Sequence, residues 1–215
     1  MARIAGVVLG WYVRLVAATS RATGPPISQD QVILAMWHET NLAATVAAVK
    51  LRNDRCFVSF STRGFRGVVM SSMLESLGAR SVPLPDETTA MRGEATSLSR
   101  SLARIGREGW SLVVSCDGPW GPYRVAKPGV LIVARESGLP VQPWAVAARP
   151  TWRLRGRWDR QLVPLPFGSL RVEEGTPIRI APTERIKPRL GEFQAELDRV
   201  AAAADRSMGR ADTRG

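Results

Sequence analysis

The chain has 215 residues, 45% of them hydrophobic, and carries 30 Lys and Arg against 19 Asp and Glu, a formal net charge of +11. That length and apolar fraction suit one globular domain and exclude a disordered chain; two cysteines and a single histidine exclude a disulfide scaffold and a Cys/His metal cage. The excess of cations leaves three partner classes: nucleic acid, anionic lipid or a phosphorylated substrate.

Residues 4–12 are apolar, and Arg14 interrupts them before an uninterrupted spanning segment of roughly 18 residues is reached. A basic start, a short apolar run and Ala17-Ala18 are also features of a secretory signal. Residues 1–22 are read instead as a retained amphipathic helix at a membrane interface, with Arg3, Arg14 and Arg21 at headgroup level and Val7, Val8, Trp11 and Leu15 toward lipid. A plain helix packed on the domain fits the same pattern. Thr23-Gly-Pro-Pro-Ile27 breaks the chain, and residues 28–208 form the domain proper.

Within that domain the periodicity predicts a strand over 31–37, ended by His38, and a helix over 40–51. A strand over 55–60 and a helix over 65–77 follow, the helix stopped by Gly78. Next come a short strand over 80–84, an irregular loop over 85–92, and an amphipathic helix over 94–107 closed by Gly109. Residues 110–114 are a β-branched run read as a buried strand; a helix over 130–137, capped by Gly138, and a strand over 140–146 come after it. Short strands at 170–174 and 177–181 and a final packing helix over 189–208 complete the domain. Alternating strands and helices predict an α/β fold with a mostly parallel central sheet flanked by helices. Cys56 and Cys116 lie in or beside strand-like runs and read as buried free thiols.

Residues 148–160 stand apart, because Arg149, Arg153, Arg155, Arg157 and Arg160 interleave with Trp152 and Trp158. Arg with Trp can hold phosphates and stack, as a nucleic-acid surface does. The same pair suits a lipid headgroup or an acyl-carrier protein, and a solvated loop with two core tryptophans is the plain alternative.

The chemistry concentrates in Ser115-Cys-Asp-Gly-Pro-Trp-Gly-Pro-Tyr-Arg124, directly after the 110–114 strand. Proline stiffens such a loop, glycine lets backbone approach a ligand closely, and open α/β sheets bind ligands outside the carboxyl ends of their strands. Asp117 sits at that end, with Arg124 and Lys127 downstream. His38 also ends an apolar strand, and an imidazole near neutral pKa is suited to removing a hydroxyl proton.

Asp117-Gly-Pro-x-Gly-Pro122, with Arg124 and Lys127-Pro-Gly129, resembles the central motif of a bacterial, lauroyl/myristoyl-acyltransferase-like branch of the lysophospholipid acyltransferase superfamily. The resemblance continues in order through Trp37-His38, Gly138-Leu-Pro-Val-Gln-Pro143, Trp158-Asp159, Pro164-Leu-Pro-Phe167 and Gly175-Thr-Pro-Ile178, most of the chain. It implies a glycerolipid acyltransferase-type fold. It also implies transfer of a fatty acyl group from an acyl-carrier-protein or coenzyme A thioester to a hydroxyl of a lysophospholipid or glycolipid. The setting it implies is peripheral, at the cytoplasmic membrane face, with no metal and no cofactor beyond the thioester.

By that resemblance His38 is the general base, Asp117-Gly118-Pro119 corresponds to the element that binds the acceptor, and Arg124 stands where a phosphate-binding Arg is expected. Asp117 is also the candidate for a second acid near the pocket, and Lys127 joins Asp117 and Arg124 in placing the acceptor. Arg63 is a further substrate-binding candidate, in Ser59-Phe-Ser-Thr-Arg-Gly64, where the branch carries an Asp before the glycine. The superfamily's His-x4-acid pattern is broken here, since the position five after His38 is Ala43; Glu39 is a poor stand-in, because neighbouring side chains diverge. The Arg-Gly-Ser-Ser element expected before Arg92 is missing too. These departures keep two alternatives open, a catalytically silent lipid-binding homologue and a basic nucleic-acid-binding domain. A thiol mechanism pairing Cys116 with His38 is a minor third.

Overall fold

The computed structural model describes residues 1–25, 30–51, 57–61, 64–83, 95–118 and 120–209, with side chains undescribed at 95–99. In chain order the elements are α1 (Ala2–Thr19), β1 (Arg21–Thr23), β2 (Ile33–Met36), a 3-10 turn (His38–Thr40), α2 (Asn41–Lys50), β3 (Phe57–Ser61), α3 (Gly64–Ser76) and β4 (Arg80–Pro83). They continue with α4 (Ala95–Arg107), β5 (Ser111–Ser115), α5 (Gly129–Ser137), β6 (Val141–Arg153), β7 (Leu162–Glu174) and α6 (Ile186–Ser207). The sheet has seven strands in the order β1-β7-β6-β2-β5-β3-β4. Each neighbouring pair is parallel except β6 with β7.

Alternation along the central strands explains the layers. In β2 and its continuation, Ile33, Ala35 and Trp37 join one core cluster with α5 and α6 residues such as Leu131, Phe193 and Leu197. Leu34 and Met36 join the other with Val13 and Val16 of α1, Ala43 and Val46 of α2, and Met73 of α3. A strand buried on both faces reads as a continuous apolar run, which is why 31–37 was legible. Val13 and Val16 are fully buried, and each such side chain contributes about 1.5–3 kcal/mol by leaving water.

Two stretches are bound more closely into the sheet than their composition suggests. The N-terminal helix packs on the domain along one face. Gly6 and Gly10 lie one turn apart on the α1 face that meets α3, where a Cβ on Gly6 would stand 2.5 Å from the Val69 carbonyl oxygen. Directly after α1, β1 pairs with β7 through Arg21–Ser169, Ala22–Leu170 and Thr23–Arg171, so helix and strand both belong to the domain. The Arg/Trp stretch is likewise no free loop. β6 runs on to Arg153, turns, and returns as β7 in an antiparallel arm, so 162–169 is strand where only 170–174 was expected. Residues 177–181 contribute a single bridge, Ile178 with Val141, instead of a strand.

Candidate active site

Register builds the site. β2 and β5 run parallel with Met36 opposite Ser115, and the Cys116 amide donates to the Met36 carbonyl at 2.9 Å. Two residues beyond that register, His38 and Asp117 emerge side by side at the carboxyl ends of the strands. Asp117 is fully buried. Its Oδ1 accepts the His38 backbone N–H at 2.9 Å and its Oδ2 the Arg124 backbone N–H at 3.0 Å. The His38 Nδ1 lies 3.9 Å from Oδ1, an ionic approach too long for a hydrogen bond.

The imidazole is walled on both sides. A Cβ at Gly118 would stand 2.5 Å from the ring's Cε1 and Nδ1, so only glycine fits beneath it. Trp158, from the β6–β7 turn, lies over it with centroids 5.1 Å apart and planes tilted by 52°. Trp158 in turn rests on Gly121, whose Cβ would approach Cε3 to 2.9 Å. The His38 side chain keeps 23% of its exposure. Nδ1 is buried and has no hydrogen-bond partner, so the exposed edge carries Nε2. Burial pushes the His38 pKa down to about 4; Asp159 pulls upward, and Arg157 and Lys127 press it down. The ring is therefore neutral at neutral pH, with a lone pair free to accept a proton.

Asp159 is the site residue that sequence reasoning missed, although Trp158-Asp159 was part of the resemblance. It is fully buried and takes Arg157 in a bidentate pair, Nε at 2.9 Å and Nη2 at 2.7 Å. Burial works to raise its carboxyl, and the Arg157 hydrogen bonds overcome this and hold it below the usual range. A lone Asp flanked by arginines was the available signal. Burial raises the Asp117 carboxyl against its backbone donors.

Arg124 is 9% exposed, and its Nε and Nη2 both donate to Oε1 of Glu39, the former at 2.7 Å, while its buried Nη1 has no hydrogen-bond partner. It holds a left-handed φ of 51°, stabilised by its backbone bond to Asp117. Lys127 is half-buried beside the site, with Nζ 5.9 Å from the centroid of Trp120. The Cys116 thiol is buried, and burial pushes its pKa well above the ordinary value, which argues against the thiol mechanism. Pro119, Arg63 and Cys56 fall outside the described residues. Arg3 and Trp11 project from the outer face of α1, and Arg14 donates to the Ser76 carbonyl. Among the described residues no cluster of three or more His, Cys, Asp or Glu side chains suited to a metal ion forms.

The chain is 22% identical over 193 residues to an uncharacterised protein of Rickettsia prowazekii (strain Madrid E), covering 86% of this chain and 84% of that one. Its structure matches the crystal structure of the 1-acyl-sn-glycerophosphate acyltransferase PlsC from Thermotoga maritima with a TM-score of 0.54 at 16% identity, covering 95% of this chain and 80% of that one. No protein-family model matches. The chain therefore has the fold of that acyltransferase, a mostly parallel sheet flanked by helices with an N-terminal helix.

Proposed function

We propose that the chain is an acyltransferase, moving a fatty acyl group from an acyl-carrier-protein or coenzyme A thioester to a hydroxyl of a lysophospholipid or glycolipid. The observation that carries this reading is a neutral His38, exposed at its Nε2 edge, at the carboxyl end of the central strand of a fold shared with a lysophosphatidate acyltransferase. Nε2 takes the proton of the acceptor hydroxyl as its oxygen attacks the thioester carbonyl carbon. The C–S bond then breaks, and the leaving thiolate takes the proton from the imidazolium. Asp117 and Asp159 offset the charge that the ring gains in the transition state, in place of an acid at position 43. Lys127 is a cation beside the ring, available to an anionic part of either substrate. The thioester is the co-substrate, and no step written here calls on a further cofactor.

The reaction suits a peripheral enzyme at the cytoplasmic membrane face, resting on α1. This helix is long and apolar enough to cross a membrane by length and composition. Its Gly6, Gly10, Val13 and Val16 face is nevertheless committed to the domain, which favours lying along the surface.

Thioester consumption with a lysophospholipid acceptor, followed in wild type and His38→Ala, tests the reading. General-base catalysis is worth about a hundred- to ten-thousand-fold, and His38→Ala should lose that much while melting near the wild type. Equal turnover in the two proteins would remove His38 from the chemistry. A second reading, a silent lipid-binding homologue, draws on the 3.9 Å gap between Nδ1 and Asp117; lipid binding without turnover of any thioester would favour it. The nucleic-acid reading is the weakest, because Arg153 and Arg157 are engaged by Glu39 and Asp159 and Trp158 covers His38.

A further inference from the structure

Glu39 follows His38 directly and has no part in the proton transfers above. Its carboxylate is 1% exposed, yet three side chains donate to it. Arg124 Nε reaches Oε1 at 2.7 Å alongside Nη2 of the same residue. The Tyr123 hydroxyl at 2.7 Å and Arg153 Nη1 at 3.0 Å reach Oε2. The Glu39 carbonyl oxygen accepts from Gln161 Nε2 at 2.9 Å. A buried carboxylate is tolerated only where such donors satisfy it.

The donors come from two places. Tyr123 and Arg124 belong to the loop after β5, which also supplies Asp117 and Gly118 to one side of the imidazole. Arg153 and Gln161 flank the β6–β7 turn, which supplies Trp158 to the other side. Both walls of the imidazole are thus tied to the residue next to it, in the same one-turn 3-10 segment.

We propose that Glu39 is a positioning residue: by binding Arg124, Arg153 and Tyr123 it locks the His38 turn between the loop after β5 and the β6–β7 hairpin, and so aims the imidazole at the acceptor hydroxyl. Arg124 serves this lock. The kinetic consequence rests on the acyl-transfer reading; the structural one does not.

The single histidine makes the test direct, because the full-length chain labelled at histidine gives one imidazole signal. Asp117, Asp159, Arg157 and Lys127 are the charged groups that face or act on this ring. All four are kept in the three variants, and Tyr123→Phe and Arg153→Lys also leave the formal charge unchanged, so a changed titration there reports a changed ring environment; Glu39→Gln also removes a negative charge, which alone would lower the His38 pKa, so a rise reports entry of water. In Glu39→Gln the His38 pKa should climb from about 4 toward the ordinary 6.5 as the ring gains water. With a long-chain acyl-CoA and a lysophospholipid, kcat should fall about ten- to a hundred-fold with KM little changed. Tyr123→Phe and Arg153→Lys should move both readouts the same way by less. Folded variants with a wild-type His38 titration and wild-type kcat would overturn the proposal, even if they melted earlier. Should Glu39→Gln fail to fold, the two milder variants decide by the same criterion. Should the wild type turn over no thioester, the acyl-transfer reading falls, and the histidine titration still decides the positioning role.

Discussion

His38 is neutral because burial withholds water from its charged form, and this has a consequence for stability. Its folded pKa, about 4, lies below the ordinary 6.5. Between those values the unfolded chain binds a proton that the folded chain refuses, so stability rises with pH across that window. The contribution is fully present above 6.5 and is lost as pH falls through about 4. A gap of this size is worth about 3 kcal/mol at about 1.4 kcal/mol per unit. Asp117, whose carboxyl burial raises, acts in the opposite sense, and it is retained in a His38→Gln variant. Urea midpoints at about pH 4 and about pH 7 should show the wild type losing about 3 kcal/mol more than His38→Gln on acidification. Equal losses in the two proteins would mean that the ring is solvated. The rate should show the same titration: kcat/KM should rise through about pH 4 and stay flat through neutrality.

The elements place that residue, and α2 decides whether an acid can be introduced five positions after it. Ala43 is fully buried, in the core cluster that also holds Leu34, Met36, Trp144 and residues of α1 and α3. An acid introduced there would enter that core with no donor to meet it. Ala43→Asp is therefore expected to lower stability by about 3 kcal/mol and to leave turnover no higher; a melting curve and a thioester assay check both halves. Residue types showed where several helices end: Gly78, Gly109 and Gly138 all hold positive φ, of 87°, 99° and 77°. The same reasoning failed on β7, because Pro164 and Pro166 argue against a strand. Proline is tolerated there because β1 covers β7 only at 169–171, leaving the stretch around Pro164 as a sheet edge.

At the scale of the molecule, an apolar face and a large positive charge coincide. Trp11 is 72% exposed on α1, beside the exposed Ile4, Val8 and Leu15, and Phe167 is 82% exposed. Phe167 has a left-handed φ of 60°, and its backbone N–H bonds Thr19 Oγ1 at 3.1 Å. The Tyr12 hydroxyl donates to the Pro164 carbonyl at 2.6 Å. These contacts hold the 164–167 segment against α1. We expect the protein to bind anionic vesicles through this face, each interfacial cation contributing about 1 kcal/mol. Trp11→Ser combined with Phe167→Ser should weaken flotation, and added salt should weaken it further. Unchanged flotation of the double variant would place the contact elsewhere. Deleting residues 1–21 is a poorer test, because it removes Val13 and Val16 from the core.

Local chemistry by itself determined the strand and helix alternation, the buried run that becomes β2, and the glycine-proline loop carrying Asp117. Each depends on residue type and spacing within about ten positions, and burial on both faces of a parallel sheet leaves a continuous apolar signature. Only the tertiary structure decided which charges are spent internally. Arg124 and Glu39 are 85 positions apart, and Asp159 is brought near His38 by a hairpin whose second strand hid behind two prolines. A charged side chain looks the same in sequence whether it faces solvent, a substrate or a buried counter-ion. Its partner is chosen by sheet register and hairpin packing, contacts that no local pattern encodes.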